Sequence, residues 1–199
     1  DGAGARRAAA ELGGPVVLKI VSPDIAHKTE IGGVVLDVRT PDDAERETTA
    51  LLRRIADKAP QARVTGVLVS PMLAQGVETI CGSFTDPVFG PVVMFGLGGI
   101  HVEVLRDVAF RLAPFGESEA LAMIGQIRGH KLLQGVRGAP PSDVAALARA
   151  LARLSQFAFA QRASVAEIDI NPLLVLPQGQ GAYALDALLV PHSDKETST

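Results

Sequence analysis

The chain has 199 residues, 47% of them hydrophobic, and a formal net charge of −3 at neutral pH. That length can bury the core of one α/β domain or two small lobes, and its apolar residues come in short runs, none near the ~20 continuous residues that a membrane-spanning helix needs. The acidic balance argues against a nucleic-acid partner, and the single cysteine, Cys81, rules out an internal disulfide, a Cys-ligated zinc cluster and a CxxC redox motif. A soluble, cytoplasmic protein with no membrane and no nucleic-acid partner is expected. The opening DGAGARRAAAELGG has neither an initiator Met nor a secretory core and reads as the start of an excised fragment. Residues 191–199 are polar and aperiodic and read as a flexible tail.

In chain order, Pro15 to Val21 (PVVLKIV) is a β-branched run between Gly13-Gly14 and Ser22-Pro23, which predicts a buried strand. After a Gly-containing loop, residues 33–38 (GVVLDV) predict a second strand. Thr40-Pro41-Asp42-Asp43 then supplies an N-cap, a proline at the first helical position and early acids. Ala44, Thr48, Leu51 and Ile55 follow at helical spacing. Runs at 63–70, 76–82 and 91–95 predict neighbouring antiparallel strands, broken at Pro71 and at Asp86-Pro87. Leu97-Gly98-Gly99 marks a tight backbone bend, and residues 117–124 a short helix. From Ser142, taken as N-cap, the stripe Val144, Leu147, Leu151, Leu154 predicts a helix with one buried face. Two final strands are predicted around 169–176 and 182–189. No internal repeat is present, so the class is α/β (α+β) in two lobes.

Several of these residues can carry chemistry. Lys19 interrupts an apolar strand, where an ammonium must pair with an anion or reach an edge; a phosphate and a snorkelling edge lysine are both open readings. The loop after it holds His27, Lys28, Gly32 and Gly33. Backbone amides and a lysine can cradle phosphate oxygens, and neutral imidazole can accept a phosphoryl group; a solvated loop is the bland alternative. No Walker A pattern is present, and Gly96-Leu97-Gly98-Gly99 fails the GxGxxG spacing, which removes a Rossmann fingerprint. Near the end, Glu167, Asp169 and Asn171 alternate onto one face of a predicted strand, and Asp186 joins them if the last two strands pair. Oxygen ligands of this kind suit Mg²⁺; the alternative is a plain solvent-facing strand.

Three blocks in one order, PVVLKIVSPDIAHKTEIGGV, SFTDPVFGPVVMFGLGGIHVEVLRDVAFRLAPF and EIDINPLLV followed by Asp186, resemble the ATP-grasp domain of ADP-forming acyl-CoA synthetases, related to the succinyl-CoA synthetase β subunit. The resemblance runs from about Ala8 to Asp186 and implies an ATP-grasp domain over 1–190, with two lobes of antiparallel sheet enclosing a nucleotide. It implies ATP or ADP contacts for Lys19, Lys28, Gly32, Gly33, the hinge residues Val69, Ser70 and Met72, and for Glu78, Glu103 and Arg111. It also implies Mg²⁺ on Asp169, Asn171 and Asp186, and His27 as a phosphohistidine site. The implied reaction is acyl-CoA + phosphate + ADP ⇌ acid + CoA + ATP, which requires a CoA-binding α-type domain or subunit and an assembly of like or unlike chains. A second implied reading is a regulatory or scaffold domain of a protein lysine acetyltransferase. The chain departs from the family pattern at Thr85, where a basic residue is usual, and at Ala187-Leu188, where an Arg is usual.

Overall fold

A computed structural model describes residues 1–25, 27–73, 75–99, 107–136 and 138–192. The chain divides into two compact units, Asp1–Ala74 and Gln75–Thr199, each with its own apolar cluster.

The first unit is built on an antiparallel sheet ordered β2-β1-β3, where β1 is Val16–Val21, β2 is Val34–Val38 and β3 is Gly66–Pro71. Helix α2 (Pro41–Lys58) begins as its composition dictates. Thr40 is the N-cap and its hydroxyl accepts from the Asp43 amide at 3.1 Å, with Pro41 in the first turn. Ala44, Thr48, Leu51 and Ile55 are buried, as their spacing predicts, and the three apolar ones share a core with Val16, Leu18 and Ile20. Helix α1 (Gly2–Leu12) is an addition to the sequence reading. Asp1 caps it at the Gly4 amide, and it buries only Ala5 and Ala9, a stripe too narrow to stand out as amphipathic.

Among the described residues the second unit carries six strands in the order β6-β5-β4-β7-β8, with β9 also paired to β7. These are β4 (Val77–Asp86), β5 (Gly90–Leu97), β6 (Val108–Leu112), β7 (Val165–Val175), β8 (Ala182–Ala184) and β9 (Ala187–Pro191). One face of the sheet is covered by α3 (Glu117–Gln126), a 3₁₀ turn (Arg128–Gln134) and α4 (Val144–Ala160). Phe95, Met123, Leu147 and Leu151 form the centre of that core. Cys81 lies in it too, and burial, helped by the charge of Asp169, pushes its thiol up to about 12, so it stays protonated and inert.

The N-cap of α4 is Asp143, not Ser142. The Ser142 amide donates to Leu133 O and the residue bridges to Pro177, whereas the Asp143 carboxylate reaches three amides: Ala146 within the helix, and Gly179 and Gly181 in the loop before β8, each at 3.0 Å. These donors, Ala146 first, hold its pKa below the ordinary carboxylate value. Such a group contributes stability that is present above its unfolded pKa and lost as pH falls through its folded pKa. Asp143→Ala is therefore expected to cost about 0.5–2 kcal/mol at neutral pH. In an acid titration followed by circular dichroism, the gap between variant and wild type should close as pH falls below the carboxylate range; a gap constant with pH contradicts the assignment.

Candidate functional site

The chemistry-bearing end of the second unit is organised by a slip in strand register. Between β4 and β7, Thr79 faces Leu173 but Cys81 faces Ile170, so β7 carries an extra residue at Asn171-Pro172. Before the bulge, Ile168 and Ile170 pack toward the helices; after it, Leu173 and Val175 do. The bulge therefore reverses the alternation and lets Glu167 and Asp169 face away from the core without turning the apolar end of the strand outward. Asp169 lies opposite Gly82, where a Cβ would collide with the Ile168 carbonyl, so the strands approach closely beside it.

On its other edge β7 meets β9 and β8 in turn, and the bulge falls in the gap between them. There the Asn171 amide donates to Asp186 O at 3.1 Å and the Leu185 amide to Pro172 O at 2.9 Å, while Asp186 Oδ1 accepts from the Ala187 amide at 3.0 Å. The last strands are thus neighbours, as the metal expectation requires, and Asn171 and Asp186 lie side by side. Asp169 is two residues from Asn171 along β7. Together they offer two carboxylates and an amide, all hard oxygen donors, and among the described residues no group of three or more His, Cys, Asp and Glu forms an alternative. This donor set fits Mg²⁺, which takes one or two carboxylates and leaves the remaining positions for water and phosphate.

Glu78 extends the same face of β4, opposite to that of Val77 and Thr79, and is exposed. Its carbonyl accepts from the Gly98 amide at 2.7 Å, and a Cβ on Gly98 would stand 3.0 Å from Glu78 Cβ. A cavity of about 400 Å³ opens here, with Glu78, Gly98, Gly99 and Leu132 in its wall. Arg111 is not brought to this face. It lies opposite the core residue Val93, on the helix-covered side, where Nε donates to Glu119 on α3 at 2.6 Å. Its guanidinium ties β6 to α3. Glu103 lies outside the described residues.

In the first unit, Val16, Leu18 and Ile20 face the helices, which leaves Lys19 half-buried on the opposite face of the central strand. Ser70 pairs with Val17 and shares that face. Val69 pairs with Leu18 and packs into the core, so only its backbone is open to a ligand; the Met72 amide donates to Pro15 O at 2.9 Å. His27 is exposed and Lys28 half-buried in the loop between β1 and β2.

The two loop glycines differ from expectation. Their amides are engaged inside the loop, Gly32 to Thr29 O at 3.0 Å and Gly33 to Lys28 O at 2.7 Å, so they form no open phosphate cradle. Gly32 is required by its φ of 72°, and a Cβ on Gly33 would stand 2.7 Å from the Ile20 side chain and 2.8 Å from Lys28 O. Their part is to fold the loop that carries His27 and Lys28. The bulge at Asn171-Pro172 is the feature that sequence reasoning missed; proline inside an otherwise regular strand is its signal.

Residues 1–190 match the ATP-grasp domain family. The chain is 43% identical over 175 residues to an ADP-forming acetate–CoA ligase I of Archaeoglobus fulgidus, covering 88% of this chain and 25% of that protein. It is 41% identical over 180 residues to the beta subunit of an ADP-forming acetate–CoA ligase I of Pyrococcus furiosus, covering 90% of this chain and 76% of that subunit. It therefore spans about a quarter of the first relative and three quarters of the second. Among solved structures, an acetyl-coenzyme A synthetase 1 of Ca. Korarchaeum cryptofilum in complex with coenzyme A, Ca-AMPCP and HgCl⁺ superposes with a TM-score of 0.91 at 39% identity, covering 96% of this chain and 82% of that one.

Proposed function

We propose, from the premise that this chain belongs to the ATP-grasp domain family, that it is the nucleotide-binding part of an ADP-forming acyl-CoA ligase acting with a CoA-binding α-type domain or subunit. The observation that carries the reading is the meeting of Asn171 with Asp186 beside Asp169, where β7 slips by one residue against β4. The similarity to a beta subunit over 90% of the chain supports it. The reported relatives are ligases and a synthetase, which gives no support to a regulatory domain of a lysine acetyltransferase.

In this reading Asp169, Asn171 and Asp186 hold Mg²⁺, which neutralises phosphate charge when bound. Lys19, on the open face of its sheet, meets the nucleotide phosphates, and Glu78 and the backbone at Val69, Ser70 and Met72 meet the nucleoside. His27 acts as a phosphoryl carrier. An imidazole nitrogen attacks the γ-phosphorus of ATP, the bond to the bridging oxygen breaks, and ADP leaves with the electron pair; the reverse transfer makes ATP. Lys28, next in the loop, offers its ammonium to the transferred group. A partner's phosphohistidine is the other donor or acceptor, and acyl-CoA and phosphate are the substrates on the partner's side.

The test is the metal dependence of nucleotide binding. The melting temperature should rise with ADP, and rise further with Mg-ADP, because a ligand that binds only the folded state stabilises it by mass action. Asp169→Ala and Asp186→Ala are each expected to remove most of the Mg²⁺ increment while leaving the ligand-free protein folded. Identical Mg²⁺ titrations of all three proteins would remove these residues from the site, and a folded wild type indifferent to millimolar Mg-ADP and Mg-ATP would overturn the nucleotide reading itself.

A further inference from the structure

A bulge leaves part of a strand ladder unpaired, and this one borders a dry core: Leu173 and Leu97, which flank Thr79 on the two neighbouring strands, are each 3% exposed. A buried hydroxyl must find an acceptor in such a place. Thr79 itself is fully buried and is a polar residue among apolar neighbours. Its hydroxyl donates to Leu173 O at 2.7 Å, on the first residue of β7 that is back in register after Asn171-Pro172. β-propensity alone does not call for threonine here, since valine has the same shape and suits an apolar core better. What valine lacks is the donor.

We propose that Thr79 is a positioning residue for the cation site, its hydroxyl pinning the β7 bulge so that Asn171 is held against Asp186 and beside Asp169. This rests on the metal reading given above. Thr79 touches neither cation nor nucleotide. It acts on the far side of the sheet, by fixing where β7 slips by one residue; with the slip displaced, Asn171 leaves its partner on the β8–β9 connection. Groups that orient metal ligands typically change metal affinity by about 10- to 100-fold when removed.

The experiment compares wild type, Thr79→Val and Thr79→Ser, with Mn²⁺ as a paramagnetic stand-in for Mg²⁺ and ADP as nucleotide. Mn²⁺ affinity in the ADP complex is read from water-proton relaxation, and ADP affinity without metal from calorimetry. Thr79→Val should weaken Mn²⁺ binding about tenfold or more, leave metal-free ADP binding near wild type, and keep a cooperative melt; Thr79→Ser, which keeps the donor, should restore Mn²⁺ affinity. A general loss of structure would instead weaken ADP binding with and without metal. If Thr79→Val does not fold, Thr79→Ala, which also deletes the hydroxyl and cannot overpack, takes its place. Wild-type Mn²⁺ affinity in a folded Val or Ala variant overturns the proposal, as does weakened affinity in a folded Ser variant. A wild type that binds Mn²⁺ no better with ADP than without it marks failure of the underlying metal reading, an outcome distinct from either.

Discussion

On the proposed carrier role, His27→Ala should abolish turnover of the proposed ligase assembly, by roughly a thousandfold or more, because removal of a covalent carrier leaves no alternative path through the same intermediate. His27 is exposed on a loop whose glycines are fixed by conformation and close packing, so its loss should barely change stability. With γ-labelled ATP, wild type should carry acid-labile, base-stable label on this chain and the variant none. A structural His27 that only hydrogen-bonds phosphate predicts the opposite pattern: weaker nucleotide binding with residual turnover. Label retained on the variant chain with turnover intact would sink the carrier role. Nucleotide affinity measured alongside separates the two, since a carrier can be deleted without weakening ADP.

The largest stability effect is expected for Phe95→Ala. Phe95 is completely buried in the centre of the second unit's core, so truncation removes a large apolar side chain and leaves a cavity, at a cost of about 3–5 kcal/mol. The first unit has a separate apolar cluster and should keep its stability. The chain has one tyrosine and no tryptophan, and Tyr183 sits on β8 in the second unit. Tyrosine fluorescence therefore reports that unit alone. In urea, its transition should move to lower concentration in the variant, while far-ultraviolet circular dichroism, which sees both units, should show a second transition little changed. A single coincident transition for both probes in both proteins would mean that the units unfold as one.

Much of the architecture was legible because it is written in local chemistry. The run PVVLKIV reads as a strand in any context, since β-branched residues bounded by Gly and Pro have few other options. Thr40-Pro41 followed by the Ala44, Thr48, Leu51, Ile55 stripe specifies a helix start and the face it buries. The spacing of Glu167, Asp169 and Asn171 marked the acidic strand correctly, and Asp186 was placed beside it by the hairpin logic of the last strands. Helix α1 escaped because two buried alanines leave almost no periodic signal. The cap of α4 was displaced by one residue because Ser142 and Asp143 are both good caps, and only the loop carrying Gly179 and Gly181 chooses between them.

What residue types and spacing settled here is the class of fold, the strand that carries Lys19, and the inventory of groups able to handle phosphate and a hard cation. These follow from short-range sterics and from the functional groups themselves. Tertiary structure decided which of them act together. Arg111 and Glu78 are equally polar, yet register sends Arg111 to Glu119 on the helix-bearing side of the sheet and leaves Glu78 on the opposite face. The Gly32 and Gly33 amides are spent within their own loop. Asn171 meets Asp186 where β7 gains one residue against β4, a slip set by pairing between segments some ninety positions apart and bordered by a buried hydroxyl 94 positions from its acceptor. Hydrogen-bond satisfaction in a dry core is a global condition, and no local pattern records it.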